Sequence, residues 1–130
     1  MSEQPSYNDT VIEHFSCPRN VGEMHDANGE GTFGDSECGD MLTIYIKVRD
    51  GIIKDISFLV FGCVASVATS SMTTELAKGK TIKDALEINE DDIVEALGGL
   101  PDAKKHCSNL GVKALKNAII NYLTRDYRGG

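Results

Sequence analysis

Three of the four cysteines in this chain of 130 residues stand at the ends of predicted elements, where a folded scaffold presents side chains to a ligand. Cys38 precedes one strand pattern and is followed two residues later by Asp40, whereas Cys63 follows a second strand pattern. Cys107 comes directly after His106 at the start of the last helical pattern. Thiolates combined with one imidazole or carboxylate suit zinc or an iron–sulfur cluster, because soft sulfur selects these metals.

These five candidate ligands do not form the pattern of a closed structural zinc site. Such a site is normally built from C-x-x-C pairs, and the sequence contains none. The oxygen that Asp40 offers in place of a thiolate predicts a weaker, exchangeable site. Free backbone N–H groups at a helix start favour the thiolate form of Cys107, the last of the set.

The elements that must position these side chains begin with a small antiparallel sheet. Met41 to Val48 alternate between apolar and polar residues, and Asp50-Gly51 is a strong signal for a tight hairpin turn. The return run Ile52 to Phe61 is rich in β-branched and aromatic residues. The glycine-rich segment Asn20 to Gly34 predicts a loop that leads into a third, short edge strand near Thr32 to Ser36.

Strand pairing predicts where the cysteines meet. Because the hairpin is antiparallel, Cys38 before its first strand and Cys63 after its second come to the same edge of the sheet. The last helix must then bring His106 and Cys107 over that edge. Strands and helices in blocks predict an α+β fold, with a three-stranded antiparallel sheet packed against several helices. The predicted helices are a capped helix near Asn8 to Phe15, one from Cys63 to Lys78, two short ones over Thr81 to Leu86 and Asn89 to Leu97, and a long C-terminal helix from Cys107.

Composition limits the function classes. The length and the hydrophobic fraction of 41% predict one globular domain over residues 1–130. A net charge of −7 disfavours nucleic-acid binding, which requires clustered cations. The absence of a long apolar run predicts no membrane span and a cytoplasmic location. In that reducing compartment, cysteines are more often ligands or reactive thiols than disulfides.

At this point the chain resembles a known family, the IscU/NifU iron–sulfur scaffold proteins. The resemblance runs from about Tyr7 to Tyr127 in the same order and spacing. The segments that carry it are Pro18-Arg19-Asn20-Val21-Gly22, Cys38-Gly39-Asp40, Phe61-Gly62-Cys63, and Leu100-Pro101 leading into His106-Cys107-Ser108.

The resemblance implies a scaffold and not an enzyme that turns over a small substrate. Cys38, Cys63 and Cys107 would receive iron, and sulfur from a cysteine desulfurase, and would hold a [2Fe-2S] cluster for transfer to apo-proteins. Asp40 and His106 match the two remaining ligand positions, and Asp40 is favoured as the fourth ligand, with His106 as the alternate. Cys107 matches the family's persulfide acceptor. The resemblance also implies an outside electron donor and a homodimer in the cluster-bound state.

Some features separate the alternatives. Leu100-Pro101-Asp102-Ala103-Lys104 replaces the family's Leu-Pro-Pro-Val-Lys, so a dedicated Hsp70-type chaperone is a doubtful partner. A zinc-dependent, persulfide-accepting sulfurtransferase of the SufU type is the main alternative, but the insertion typical of that branch between the second and third cysteines is absent here. A hydrolase that uses Cys107 and His106 ranks last, because adjacent side chains usually diverge. Cys17 is interpreted as a structural or incidental thiol, and His14 as a surface residue.

Overall fold

The structure is a computed structural model that describes residues 7–35 and 39–127. Within these residues the chain forms the predicted α+β fold, with helices packed on a three-stranded antiparallel sheet. The elements are α1 (Asp9–Ser16), β1 (Gly29–Asp35), β2 (Asp40–Arg49), β3 (Ile52–Phe61), α2 (Val64–Ala77), α3 (Ile82–Leu86), α4 (Glu90–Ala96), a 3-10 helix (Asp102–Cys107) and α5 (Ser108–Tyr127).

The central hairpin forms as the sequence predicts. Asp50 and Gly51 both have positive φ angles, of 58° and 75°, which is the geometry of the two-residue turns that match strand twist. β2 pairs with β3 so that Met41 lies opposite Phe61 at the far end of the hairpin. The alternate apolar residues of β2 are buried on the helix side of the sheet, and they are Leu42, Ile44, Ile46 and Val48.

The first strand is longer than its sequence predicts, because α5 lies directly against it. β1 begins at Gly29 and not near Thr32. A Cβ atom on Gly29 would lie 2.7 Å from the Ala118 carbonyl oxygen, and one on Gly31 would lie 2.1 Å from the Ala118 nitrogen. Glycine normally weakens a strand and indicates a loop. Here it is required, since no other residue leaves room for the backbone of α5.

Helix α2 is the centre of the helical layer and buries hydroxyl groups as well as apolar side chains. Its fully buried hydroxyl residues are Ser66, Thr69, Ser70, Ser71, Thr73 and Thr74. The Ser71 Oγ accepts a hydrogen bond from the Arg19 N–H at 2.9 Å and lies 2.8 Å from the His14 Nδ1. His14 is therefore buried, and its interpretation as a surface residue was wrong: the Ser71 hydroxyl supplies the polar partner that lets a histidine face the helix layer.

The chain leading into α5 also differs from its prediction. Residues 102–107 form a 3-10 helix, in which the Lys104 N–H bonds to the Pro101 carbonyl at 2.8 Å. Cys107 ends this turn, and α5 begins one residue later, at Ser108. Across residues 7–35 and 39–127, none of the helices has the length and apolarity needed to span a bilayer.

Candidate functional site

The edge of the sheet brings an acid and a thiol together. Asp40 is the first residue of β2, and Cys63 is the N-cap of α2, two residues after β3 ends. The antiparallel register therefore places both at one end of the hairpin, with the Cys63 Sγ 3.9 Å from the Asp40 Oδ2. Asp40 is only 8% exposed, so its carboxylate lies inside the protein surface.

Cys107 joins this pair from the helical layer. The junction between the 3-10 helix and α5 lies against α2, where the Thr69 hydroxyl donates a hydrogen bond to the Cys107 carbonyl at 3.2 Å. The ligand atoms of Asp40, Cys63 and Cys107 all lie within 4.8 Å of one another. In the part of the chain that the structure describes, this is the group of acidic, cysteine and histidine side chains with the spacing of a metal site.

The other two predicted ligands are Cys38 and His106. Cys38 lies outside the described residues. His106 is exposed at the rim of the site, and its Nε2 lies 3.8 Å from the Cys107 Sγ. The 3-10 turn thus keeps these adjacent side chains close, whereas the sequence argument expects them to diverge. A separation of 3.8 Å is that of a weak hydrogen bond to sulfur, so the two side chains contact each other at the rim of the site.

Ser66 belongs to the site and was not identified from the sequence. Its hydroxyl donates a hydrogen bond to the Asp40 Oδ2 and lies 3.4 Å from the Cys63 Sγ. The residue is completely buried. A local signal exists: Ser66 stands three residues after the N-cap Cys63, which is the helix position whose side chain reaches back towards the cap.

Burial, hydrogen bonds and neighbouring charges all shift the pKa values of the site. Burial and, to a lesser extent, the Asp40 carboxylate raise the pKa of the Cys63 thiol, but the Ser66 hydroxyl and backbone N–H, with the Lys104 ammonium, lower it overall. Burial raises the pKa of the Tyr7 phenol. The charge of Lys104 lowers this pKa, and the charges of Cys63 and Cys107 raise it further. Tyr7 and Lys104 are therefore close enough to interact electrostatically with the groups of the site.

The arrangement can bind a thiophilic metal. Two sulfur atoms and one carboxylate oxygen converge at a partly buried edge, and such a donor set suits zinc or iron bound with sulfur. Cys107 is 4% exposed, whereas Cys63 is partly accessible, so the site is open on one side. A bound metal would therefore be held on the surface of the fold and not enclosed in its core.

Comparison with known proteins identifies the family. A family model described as NifU-like N terminal domain matches residues 6–128. The chain belongs to this family. The resemblance inferred from the sequence motifs is thereby confirmed, and the three-stranded sheet with a long C-terminal helix is the fold to which the motifs pointed.

Relatives within the family carry scaffold names. The iron-sulfur cluster assembly scaffold protein IscU 1 of Archaeoglobus fulgidus is 58% identical over 120 residues, which cover 92% of this chain and 78% of that protein. The scaffold protein IscU of Aquifex aeolicus is 48% identical over 124 residues, covering 94% and 79%.

A solved structure agrees with the fold. The N-terminal part of a nitrogen-fixing NifU-like protein from Brucella abortus matches with a TM-score of 0.73 and 20% identity. The match covers 91% of this chain and 94% of that one. At this identity the likeness shows the fold alone.

Proposed function

We propose that this protein is a scaffold on which a [2Fe-2S] cluster is assembled and from which the cluster is transferred to apo-proteins. The observation that carries the proposal is the convergence of Asp40, Cys63 and Cys107 within 4.8 Å at an open edge of the sheet. Membership of the family and the scaffold names of the IscU relatives support the same role. In this proposal residues 1–130 act as one scaffold domain.

The proposed ligands are three cysteines and one carboxylate. Cys63, Cys107 and Asp40 are already adjacent, and Cys38 precedes Asp40 by two residues in the sequence. The exposed ring of His106 is an alternate ligand that can replace the carboxylate. A cluster with one oxygen or nitrogen ligand among sulfurs has one bond that exchanges more easily than the others.

The chemistry begins with sulfur transfer. The Cys107 thiolate attacks the outer sulfur of a persulfide on a cysteine desulfurase, which forms a Cys107 persulfide and releases the desulfurase thiolate. An outside electron donor then supplies two electrons per persulfide, so that sulfide leaves and the thiolate is regenerated. Iron and sulfide combine on the ligands, and thiolates of a recipient apo-protein displace them one at a time. In this proposal the protein carries the cluster as its cargo and accepts sulfur, and it is not an enzyme.

Two further parts of the proposal concern the surroundings. A second copy of the chain would cover the open side of the cluster and exclude water, and Tyr7 stands beside the site as a candidate contact. A cytoplasmic location agrees with reduced cysteines, and the partners are the desulfurase, iron and electron donors, and recipient proteins. The changed segment at Asp102 gives no support for a dedicated Hsp70-type chaperone.

Anaerobic reconstitution tests the proposal. With iron, a desulfurase, cysteine and a reductant, the wild-type protein should turn brown and contain iron and sulfide in equal amounts. Substitution of Cys38, Cys63 or Cys107 by serine should abolish the colour, whereas Cys17→Ser, at an exposed thiol, is the matched control and should retain it. A colourless protein with one zinc per chain would instead support a sulfurtransferase of the SufU type.

The oxygen ligand has its own test. Asp40→Ala should slow the transfer of a preformed cluster to an apo-protein, because the most easily exchanged bond is removed. Transfer is followed by the spectrum of the recipient at equal cluster loading. Transfer as fast as in the wild type would contradict the role of Asp40.

A further inference from the structure

We propose that Ser66 is a positioning residue that fixes the orientation of the Asp40 carboxylate at the metal site. The proposal rests on the proposed function, because it assumes that Asp40 is a ligand of the scaffold site. Nothing in the motifs of the chain assigns a role to Ser66. Its position in the structure does.

The hydroxyl of Ser66 occupies one of the two carboxylate oxygens. It donates to the Oδ2 of Asp40, and both residues are buried, Ser66 completely and Asp40 to all but 8%. The Ser66 Oγ also lies 3.4 Å from the Cys63 Sγ, so its single proton can serve either the carboxylate or the thiolate, and the closer of the two partners is the Oδ2 of Asp40.

The backbone of Gly62 packs against both the carboxylate and Ser66. A Cβ atom on Gly62 would lie 2.8 Å from the Cγ of Asp40, 2.9 Å from its Oδ1 and 2.9 Å from the Cβ of Ser66. Gly62 and Ser66 thus form a slot that admits the carboxylate in one orientation. Ser66 lies in the first turn of helix α2, so the helix itself holds its position.

This slot determines how strongly Asp40 binds. A carboxylate that is free on both sides can bind a metal through two oxygens, as ionised Asp offers both. The Ser66 hydrogen bond to Oδ2, together with the contact of Gly62, holds the Asp40 carboxylate in a fixed direction. Partners of this kind orient the ligand, and their loss typically weakens metal affinity by a factor of about 10–100.

A double-mutant cycle with Zn²⁺ tests the proposal. Zn²⁺ affinity of the reduced protein is measured by competition with a chromophoric chelator for the wild type, Ser66→Ala, Asp40→Ala and the double variant. Ser66→Ala should weaken Zn²⁺ binding about tenfold in the wild-type background. In the Asp40→Ala background it should change the affinity less than about twofold, because the carboxylate on which it acts is gone.

Ser70→Ala is the matched control, because Ser70 is a fully buried serine on the same helix. It should leave Zn²⁺ affinity within about twofold of the wild type, since its hydroxyl has no hydrogen-bond partner among the described residues. Co²⁺ bound to Ser66→Ala should also show weaker visible absorption, because a second carboxylate oxygen moves the ion away from tetrahedral coordination. A Co²⁺ spectrum identical to that of the wild type would contradict a change in the presentation of Asp40.

Several results would overturn the proposal. An equal loss of affinity from Ser66→Ala in both backgrounds, or a tenfold loss from Ser70→Ala, would mean that general repacking and not Asp40 is responsible. If Ser66→Ala lacks the circular dichroism of the wild type, Ser66→Thr is measured instead, and a loss of affinity despite the retained hydroxyl would contradict the proposal. If Asp40→Ala itself leaves Zn²⁺ affinity unchanged, the ligand assignment fails. If Asp40→Ala weakens binding and Ser66→Ala does not, only the role of Ser66 fails.

Discussion

The contact between β1 and α5 predicts a large loss of stability from the smallest possible substitution, Gly31→Ala. The added Cβ would lie 2.1 Å from the Ala118 nitrogen, 2.6 Å from the Ala114 oxygen and 2.6 Å from the Asn117 carbonyl carbon. Ordinary contacts between such atoms are about 3.5–4.0 Å, so α5 would have to move by more than about 1 Å. All three atoms belong to backbone, and no side-chain rotation can relieve the overlap.

The expected cost follows from this geometry. Overpacking of a core costs about 1–3 kcal/mol, and an overlap with rigid backbone belongs at the upper end, about 3 kcal/mol. For a chain of this length, that corresponds to a fall in Tm of about 10 °C. Urea denaturation followed by far-ultraviolet circular dichroism measures the free energy of unfolding directly.

Gly34→Ala provides the control in the same strand. Its Cβ would meet nothing closer than the Asp40 carbonyl oxygen at 3.6 Å, which is ordinary contact. We expect Gly34→Ala to change the free energy of unfolding by less than about 1 kcal/mol, partly because alanine restricts the unfolded chain. Equal losses in the two variants would refute the reasoning, since they would show that the close approach of α5 is not what requires glycine in β1.

Three further predictions concern the site and its supports. Thr69→Val removes the hydroxyl bonded to the Cys107 carbonyl and should lower the free energy of unfolding, measured by urea denaturation, by about 1 kcal/mol. Thr69→Ser retains the hydroxyl and should keep most of the stability that this hydrogen bond contributes. Gly62→Ala should displace the Asp40 carboxylate and weaken Zn²⁺ binding about tenfold by chelator competition; unchanged affinity would mean that the slot is not tight. Burial lowers the pKa of His14 below its unfolded value of about 6.5, so the unfolded state binds its proton first. Stability should therefore fall as pH decreases from about 6.5 through the folded pKa, and His14→Asn should lessen that fall; identical pH profiles of unfolding would contradict it.

The hairpin could be predicted because its signals are local. Alternation with a period of two determines which face of β2 is buried, and Asp50-Gly51 permits positive φ in the turn. Antiparallel pairing then requires that the start of β2 and the end of β3 share one edge. The long C-terminal helix was predicted for the same reason, from its apolar periodicity.

What could not be predicted depends on partners that are distant in sequence. Glycine in β1 is unfavourable locally and is compensated only by its contacts with Ala114 and Ala118 of α5, more than 80 residues later, so composition indicated a loop. Ser66 is an ordinary helix residue until the carboxylate of Asp40 is brought over it. The 3-10 helix before Cys107 has the composition of an α-helix start, and only its hydrogen bonds distinguish it.

The buried hydroxyls of α2 also affect how the stability of the protein depends on temperature. Exposure of apolar surface raises the heat capacity of unfolding, whereas exposure of polar surface lowers it. Helix α2 contributes six fully buried serine and threonine side chains where a typical core helix contributes leucine or valine. The heat capacity change of unfolding should accordingly lie below the usual value of about 12–15 cal/mol/K per residue. A smaller heat capacity change gives a flatter stability curve, so the fold that supports the site should weaken gradually on both warming and cooling.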